Sequence, residues 1–511
     1  MNSWNEGYFT DSTYTYGYYR ELSPNFMRWC LLVNGIAAPE ITAESCHCEL
    51  GFGQGLSANI HAAATPGKFF GTDFNPAHAA QAKEMATASG ADAHFFEDSF
   101  DEFSNRDDLP QFDSIGFHGV WTWISAENRR HMLEVARQHL KSGGMVYNSY
   151  NCLPGWAPAA PLRELLTLYD KNFHGNGNTK ERVQAAIKFI QEMVDAEPAY
   201  LQLAPSFKPT FENIKKHNPD YIAHEYLNLD WDLMYFSDVA ELSQEAKLDF
   251  ATQVMPIDGA TFHLSQKAQD FLNKISNPIV REQLADYFTR RQFRKDLYVR
   301  GIRRLPPPEV IDKILSTRYV LLIPAAEVSM NVNTEQGNLK LAEAAYRPFV
   351  EYLAEDNHRP KDLLEYAERN NVSTRNVIEM VRVLTFVDRV MPCQSKAAVN
   401  LVKKNCDRLN AHLCERAKFN ESISFLASPL TGCGFNVNRV AQLFLAQYKG
   451  GVKTADRLAD EALKILTQGG QQILFNGKPL ENPEDNIKHL RTLAERFLTR
   501  DLPIYKALLI A

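Results

Sequence analysis

Between residues 45 and 151, short apolar runs alternate with stretches of helical periodicity. The runs SCHCEL (45–50), KFFGTD (68–73), DAHFFED (92–98), FDSIGFHG (112–119) and GMVYNSYN (144–151) predict five strands. LSANIHAAA (56–64), PAHAAQAKEMATA (76–88) and SAENRRHMLEVARQHL (125–140) predict helices between them. In the last of these, Ser125 is placed to cap the helix, and Leu133, Ala136 and Leu140 share one face. Strand and helix in alternation predict an α/β fold, a Rossmann-like, mostly parallel sheet with helices packed on its faces.

The pattern then turns helical from 160 to about 203. The stretch 235–256 reads as helix then strand, and FRKDLYVRG (293–301) as a further strand. We read these as the last strands of the same sheet, separated by a helical insertion. Prolines 306–308 mark a linker. The rest is mostly helical, with helix, turn, helix and strand over 365–392 in a winged-helix-like pattern and Ser373 as a candidate cap. The expected division is an aromatic entry segment (1–40), a sheet domain with its insertion (41–304, the inserted region about 200–300) and a helical C-terminal domain (305–511).

Composition narrows the function. The chain has 511 residues, 45% hydrophobic and 23% charged, which is ordinary for a globular protein. Its 55 basic and 62 acidic residues give a net charge of −7, so no nucleic-acid partner is expected. The polar, aromatic opening lacks the basic-then-apolar order of a secretory signal, and no run of about 18 apolar residues predicts a membrane span. The eight cysteines include no CxxC pair. Reduced thiols, a cytoplasmic location and no metal site are expected.

The candidate chemistry lies at the strand ends. Glu49-Leu50-Gly51-Phe52-Gly53-Gln54-Gly55 closes the first strand, and its glycines permit a tight turn and close approach of a ligand to the backbone. This pattern alone fits an adenosyl cofactor, the pyrophosphate of a dinucleotide, or a plain turn. Asp73, followed by Phe74, ends the second strand, where a carboxylate can accept from two ribose hydroxyls. Asp98 and Ser99 end the third, where a carboxylate can accept an adenine amine. His139-Leu140-Lys141-Ser142-Gly143-Gly144 precedes the fifth strand, with glycine as the expected helix C-cap. Bland readings stand beside these: Asp73 as a helix cap before Pro76, Asp98 as a turn cap, His118 as a core histidine, Trp121 and Trp123 as packing aromatics.

In order and spacing these features resemble the class I S-adenosylmethionine-dependent methyltransferases. HGVWTWIS (118–125) and SYNCLPGW (149–156) resemble phrases of one family, methyltransferases followed by a methyltransferase regulatory domain. YTYGYYRELSP (14–24), AHEYLN (223–228), RRQFRKDLYVRG (290–301) and, more loosely, LASPLTG (426–432) extend the likeness. Its best-known members resemble rickettsial enzymes that methylate lysines of an outer-membrane protein.

The resemblance implies S-adenosylmethionine as cofactor and a protein substrate whose lysines are N-methylated. A small-molecule or glycan acceptor, or a regulatory protein that binds the cofactor without turnover, is the alternative. The expected cofactor residues are Glu49, Gly51, Gly53, Gly55, Asp73, Phe74, Asp98, Ser99 and His118. On the acceptor side we expect Tyr14, His118, Trp121, Trp123, Tyr150 and Asn151, because aromatic faces attract sulfonium and methylammonium cations. Tyr147 and Tyr150 must face opposite sides of a strand, and the expectation places Tyr150 toward the site.

Overall fold

Strands β1 (Cys46–Leu50), β2 (Lys68–Thr72), β3 (Ala93–Phe96), β4 (Phe112–Phe117) and β5 (Leu140–Leu153) pair in parallel, in the order β3-β2-β1-β4-β5. The computed structural model describes residues 16–173, 177–254, 264–334, 337–469, 474–475, 478–480 and 482–511. Helices α1 (Pro24–Val33), α2 (Leu56–Ala64), α3 (Pro76–Ser89), α4 (Phe100–Ser104) and α5 (Ala126–His139) punctuate these strands. β1 is buried nearly throughout, as a central parallel strand covered on both faces must be. It lies between β2 and β4, so the chain reverses its direction of travel across the sheet there. That switch point opens a crevice at the carboxyl ends of β1 and β4.

Two predicted details differ from the structure. α5 ends at His139 with the extended Leu140 as its C-cap, not with glycine. Gly143 (φ +79°) and Gly144 instead lie inside β5, beside a register shift between Phe112 and Ser114. There the Gly143 N–H donates to the carbonyl of Arg300 at 2.7 Å, so the glycine pair serves the strand's irregular entry.

Past β5 the chain builds a helical insertion: α6 (Ala160–Phe173), α7 (Thr179–Asp195), α8 (Tyr200–Leu203), α9 (Phe207–Ile214) and α10 (Pro219–Tyr226). It has its own core, with Leu162, Ile190, Phe211 and Ile222 fully buried. The short β6 (Met234–Tyr235) then pairs with the far end of β5. α11 (Phe236–Glu245), β7 (Asp249–Gln253), α12 (Gln266–Asn273), α13 (Pro278–Thr289) and β8 (Phe293–Val299) complete the sheet. β8 runs antiparallel to both β5 and β7, giving the path β3-β2-β1-β4-β5-β8-β7.

In the C-terminal part, the stretch 365–392 forms helix, turn, helix and strand (Leu363–Arg369, Thr374–Phe386, Val390–Pro392), and the Ser373 side chain accepts from the Asn376 N–H. The helix Lys396–Arg416 packs against α2 and α3. Cys406 Sγ donates to the Ala63 carbonyl at 3.1 Å, and Gln394 Nε2 to the Ala64 carbonyl at 2.8 Å. α2 is thereby buried along its whole length. This explains its alanine-rich sequence, since larger side chains would not fit between a sheet and a second helix layer. Among the described residues, no helix is long and apolar enough to cross a membrane.

Candidate active site

The turn after β1 carries three left-handed glycines, Gly51 (φ +71°), Gly53 (φ +56°) and Gly55 (φ +72°). A Cβ on Gly51 would lie 2.8 Å from the Val120 side chain, and one on Gly55 would lie 2.6 Å from the Ala82 Cβ. Gly55 is also the N-cap of α2 and supplies no side-chain acceptor. The helix therefore opens with backbone donors and a positive dipole end, which suits a carboxylate.

Asp73 is buried (7% exposed) and anchors this turn. One carboxylate oxygen accepts from the Gly53 N–H at 2.8 Å; the other accepts from the Asn75 N–H at 3.0 Å and lies 3.1 Å from His78 Nδ1. It is not the cap of α3, a role taken by Asn75. Asp98 is held by Arg106 at 3.0 Å through one oxygen, while Ser99 caps α4 in a reciprocal box with Glu102. Glu49 is pushed up to about 8, first by burial and then by the neighbouring Asp73.

His118 follows β4. Its Nδ1 lies 2.8 Å from the Tyr147 hydroxyl and 3.0 Å from Ser149 Oγ, and its ring stacks on Tyr19 with centroids 3.6 Å apart. Burial pushes its pKa down to about 4, so it is neutral at physiological pH.

These groups line one cavity of about 330 Å³. Glu49, Gly51, Gly53, Gly55, Asp73, Phe74, Asp98, Ser99 and His118 all border it. So does Trp123, from the segment after β4. Asn151 touches it indirectly, donating from Nδ2 to Glu225 Oε1 at 3.0 Å.

Two expected acceptor residues are elsewhere. Trp121 is 1% exposed and stacks on Phe117, centroids 5.8 Å apart, in the core beneath the sheet. Tyr150 is also 1% exposed; its hydroxyl donates to Asp296 at 2.8 Å, within the buried cluster that Arg294 makes with Asp286 and Asp296. The two tyrosines do face opposite sides of β5, but Tyr147, not the expected Tyr150, lies on the His118 side. Tyr14 lies outside the described residues.

Lining residues that no sequence signal singles out come mostly from the insertion. Tyr221, His224, Glu225 and Asp230 line the cavity, as does Tyr19 of the entry segment. Among the described residues the lining holds five carboxyl groups (Glu49, Asp73, Asp98, Glu225, Asp230) and no lysine or arginine. Such a lining favours a cationic occupant, while positive potential is confined to the start of α2.

Comparison with known proteins agrees with this geometry. Residues 48–144 match the model of a methyltransferase domain, and residues 218–300 that of a "predicted methyltransferase regulatory domain". An uncharacterized protein of Synechocystis sp., sll1526, is 34% identical over 508 residues, covering 98% of both chains. The uncharacterized protein RP789 of Rickettsia prowazekii is 22% identical over 484 residues, covering 90% of this chain and 86% of its own. The structure of PKMT2 from Rickettsia typhi in complex with AdoHcy superposes with a TM-score of 0.72 at 18% identity, covering 98% of this chain and 100% of that one.

Proposed function

Because the chain belongs to the class I S-adenosylmethionine-dependent methyltransferases that carry a methyltransferase regulatory domain, we propose that it N-methylates the side-chain amines of protein lysines. The observation that carries this reading is the lining of the cavity, five carboxyl groups without a lysine or arginine among the described residues. Both expected occupants, a sulfonium cofactor and an ammonium acceptor, are cations.

The residues present suit the cofactor. Asp73 offers a buried carboxylate for ribose hydroxyls. The oxygen of Asp98 not bound to Arg106 suits an adenine amine. The start of α2 suits a carboxylate, and Glu49 a nearby positive charge. When bound, the cofactor supplies a methyl group already activated by its sulfonium, so the protein's task is to orient an amine and strip it of water and its proton.

On the acceptor side, Trp123 and the Tyr19–His118 stack offer ring faces. Tyr221 (49% exposed) and Leu229 (62% exposed) bracket Glu225 in sequence and suit contact with a macromolecule at the cavity mouth. The phrases at 118–125 and 149–156 resemble a family whose best-known members resemble rickettsial lysine methyltransferases, which supports the same acceptor class.

The test is transfer of tritiated methyl from S-adenosylmethionine into an extract of cells lacking this protein. Label in protein bands, recovered as methyl-lysine after hydrolysis, is the expected result. Label confined to small solutes or glycans would overturn the lysine assignment, and no label would overturn turnover itself.

A further inference from the structure

Glu225 stands on α10, the helix of the insertion that reaches the cavity. Its Oε1 accepts from Asn151 Nδ2, 74 positions earlier, at the end of β5. Asn151 is itself fixed: its N–H donates to Thr122 Oγ1 at 3.0 Å. The Thr122 carbonyl in turn accepts from the Asp232 N–H at 2.9 Å, and Asp232 is ion-paired with the buried Arg129. The segment after β4, the end of β5 and the insertion thus form one hydrogen-bonded frame around this carboxyl. No lysine or arginine pairs with it among the described residues.

A half-buried carboxylate without a cationic partner is costly to ionise, so such a group is retained where a cation or a proton comes to it. Asp232 shares the frame but is neutralised by Arg129, whereas Glu225 borders the cavity and is held by the neutral Asn151 amide. We infer that Glu225 is the general base of the transfer, taking a proton from the acceptor ammonium before methylation. The inference rests on the amine-acceptor reading above.

The step balances simply. One N–H bond of the ammonium breaks and an O–H bond forms on Glu225, leaving a neutral amine and a neutral carboxyl. The freed lone pair forms the new N–CH3 bond as the methyl–sulfur bond breaks, so the nitrogen is again cationic. Glu225 then releases its proton to solvent. Burial favours this role, pushing the Glu225 pKa up to about 7 against the opposing hydrogen bond from Asn151. A base of that strength is well matched to neutral pH.

Other ionisable groups facing the region are His118 after β4, His224, Tyr221 and Asp230 of the insertion, and Glu49, Asp73 and Asp98 at the cofactor edge. His118 is neutral throughout the working range. Glu49 titrates near 8 and is followed separately through cofactor affinity.

The experiment compares full-length wild type with Glu225→Gln. Tritium transfer to extract protein is followed from pH 6.5 to 10, S-adenosylhomocysteine affinity is measured by calorimetry, and the carboxyl band of Glu225 is followed by difference infrared spectroscopy. We expect a carboxyl band, absent from the variant, that titrates near neutrality. Transfer should fall about 100-fold at pH 7. The deficit should shrink to under about tenfold by pH 10, where the free amine is available without a base. Cofactor affinity should change less than about twofold. A deficit independent of pH, a matching loss of cofactor affinity, or no carboxyl band titrating near neutrality would overturn the inference. If wild type labels small amines and not protein, the lysine reading fails while the same pH signature upholds Glu225. Label found only as O- or C-methyl would overturn both.

Discussion

The two halves of the cavity are built differently. The half proposed for the cofactor is a sheet edge: Glu49 lies in β1, and the glycine turn, Asp73, Asp98 and His118 follow parallel strands, all within 70 residues of sequence (49 to 118). Its geometry is set by backbone, with left-handed glycines and a carboxylate that holds a loop N–H. The half proposed for the acceptor is assembled from distant pieces. Tyr19 comes from the entry segment, Trp123 from the turn after β4, Asn151 from the end of β5, and Glu225 and Asp230 from a helical insertion with its own core. A rigid edge suits an invariant cofactor; an inserted wall can change with the acceptor while the edge stays the same.

The C-terminal region belongs to the first half in this respect. Its helix Lys396–Arg416 and Gln394 grip the far end of α2, the helix that begins at Gly55.

The comparison can be broken most severely at Asp73. Asp73→Ala removes the anchor of the Gly53 N–H together with the proposed ribose acceptor. It should weaken S-adenosylmethionine binding about 100-fold or more, or roughly 3 kcal/mol. Calorimetry checks this, and circular dichroism should show the fold retained.

Trp121→Ala and Trp123→Ala separate core from site. Trp121 is buried against Phe117, so its loss should cost about 3–5 kcal/mol of stability. Trp123→Ala should instead lower turnover about tenfold while leaving the melting temperature within a few degrees. Equal effects in thermal melts would erase the distinction between the two residues.

Tyr150→Phe makes the same point on β5. Removing one hydroxyl from the Asp296 cluster should cost about 1–2 kcal/mol without a selective change in acceptor KM. A selective KM increase would return Tyr150 to the site.

The smallest effect concerns Glu49. With its pKa near 8, it is mostly protonated at pH 7 in the free protein. A bound cation favours its ionised form, so binding should release most of one proton at pH 7 and strengthen as pH rises toward 8. Calorimetry in buffers of different ionisation enthalpy measures that release, which Glu49→Gln should abolish.

The sheet-edge half of the cavity was legible in the sequence because its signals are local. A strand, a glycine turn and an acid at the next strand's end need no tertiary knowledge to be placed together. The sheet, including the return of β7 and β8 after the insertion, was read from periodicity for the same reason. The acceptor half was not. Strand parity separates Tyr147 from Tyr150 but does not say which face meets the crevice; that depends on what β8 and the buried Arg294 present to each side. Trp121 and Trp123 lie in a short 3-10 turn, not an extended strand, so residues two apart do not share a face there. Glu225 was visible only as a letter in AHEYLN, since its contact with Asn151 spans 74 positions.

The central claim is that this cavity is a cation site for an adenosyl sulfonium. It is tested most directly by titrating the full-length protein in parallel with S-adenosylmethionine and with a nicotinamide dinucleotide. The account predicts one-to-one binding of the sulfonium compound, its displacement by S-adenosylhomocysteine and no measurable uptake of the dinucleotide. Tight dinucleotide binding with no uptake of S-adenosylmethionine would contradict it.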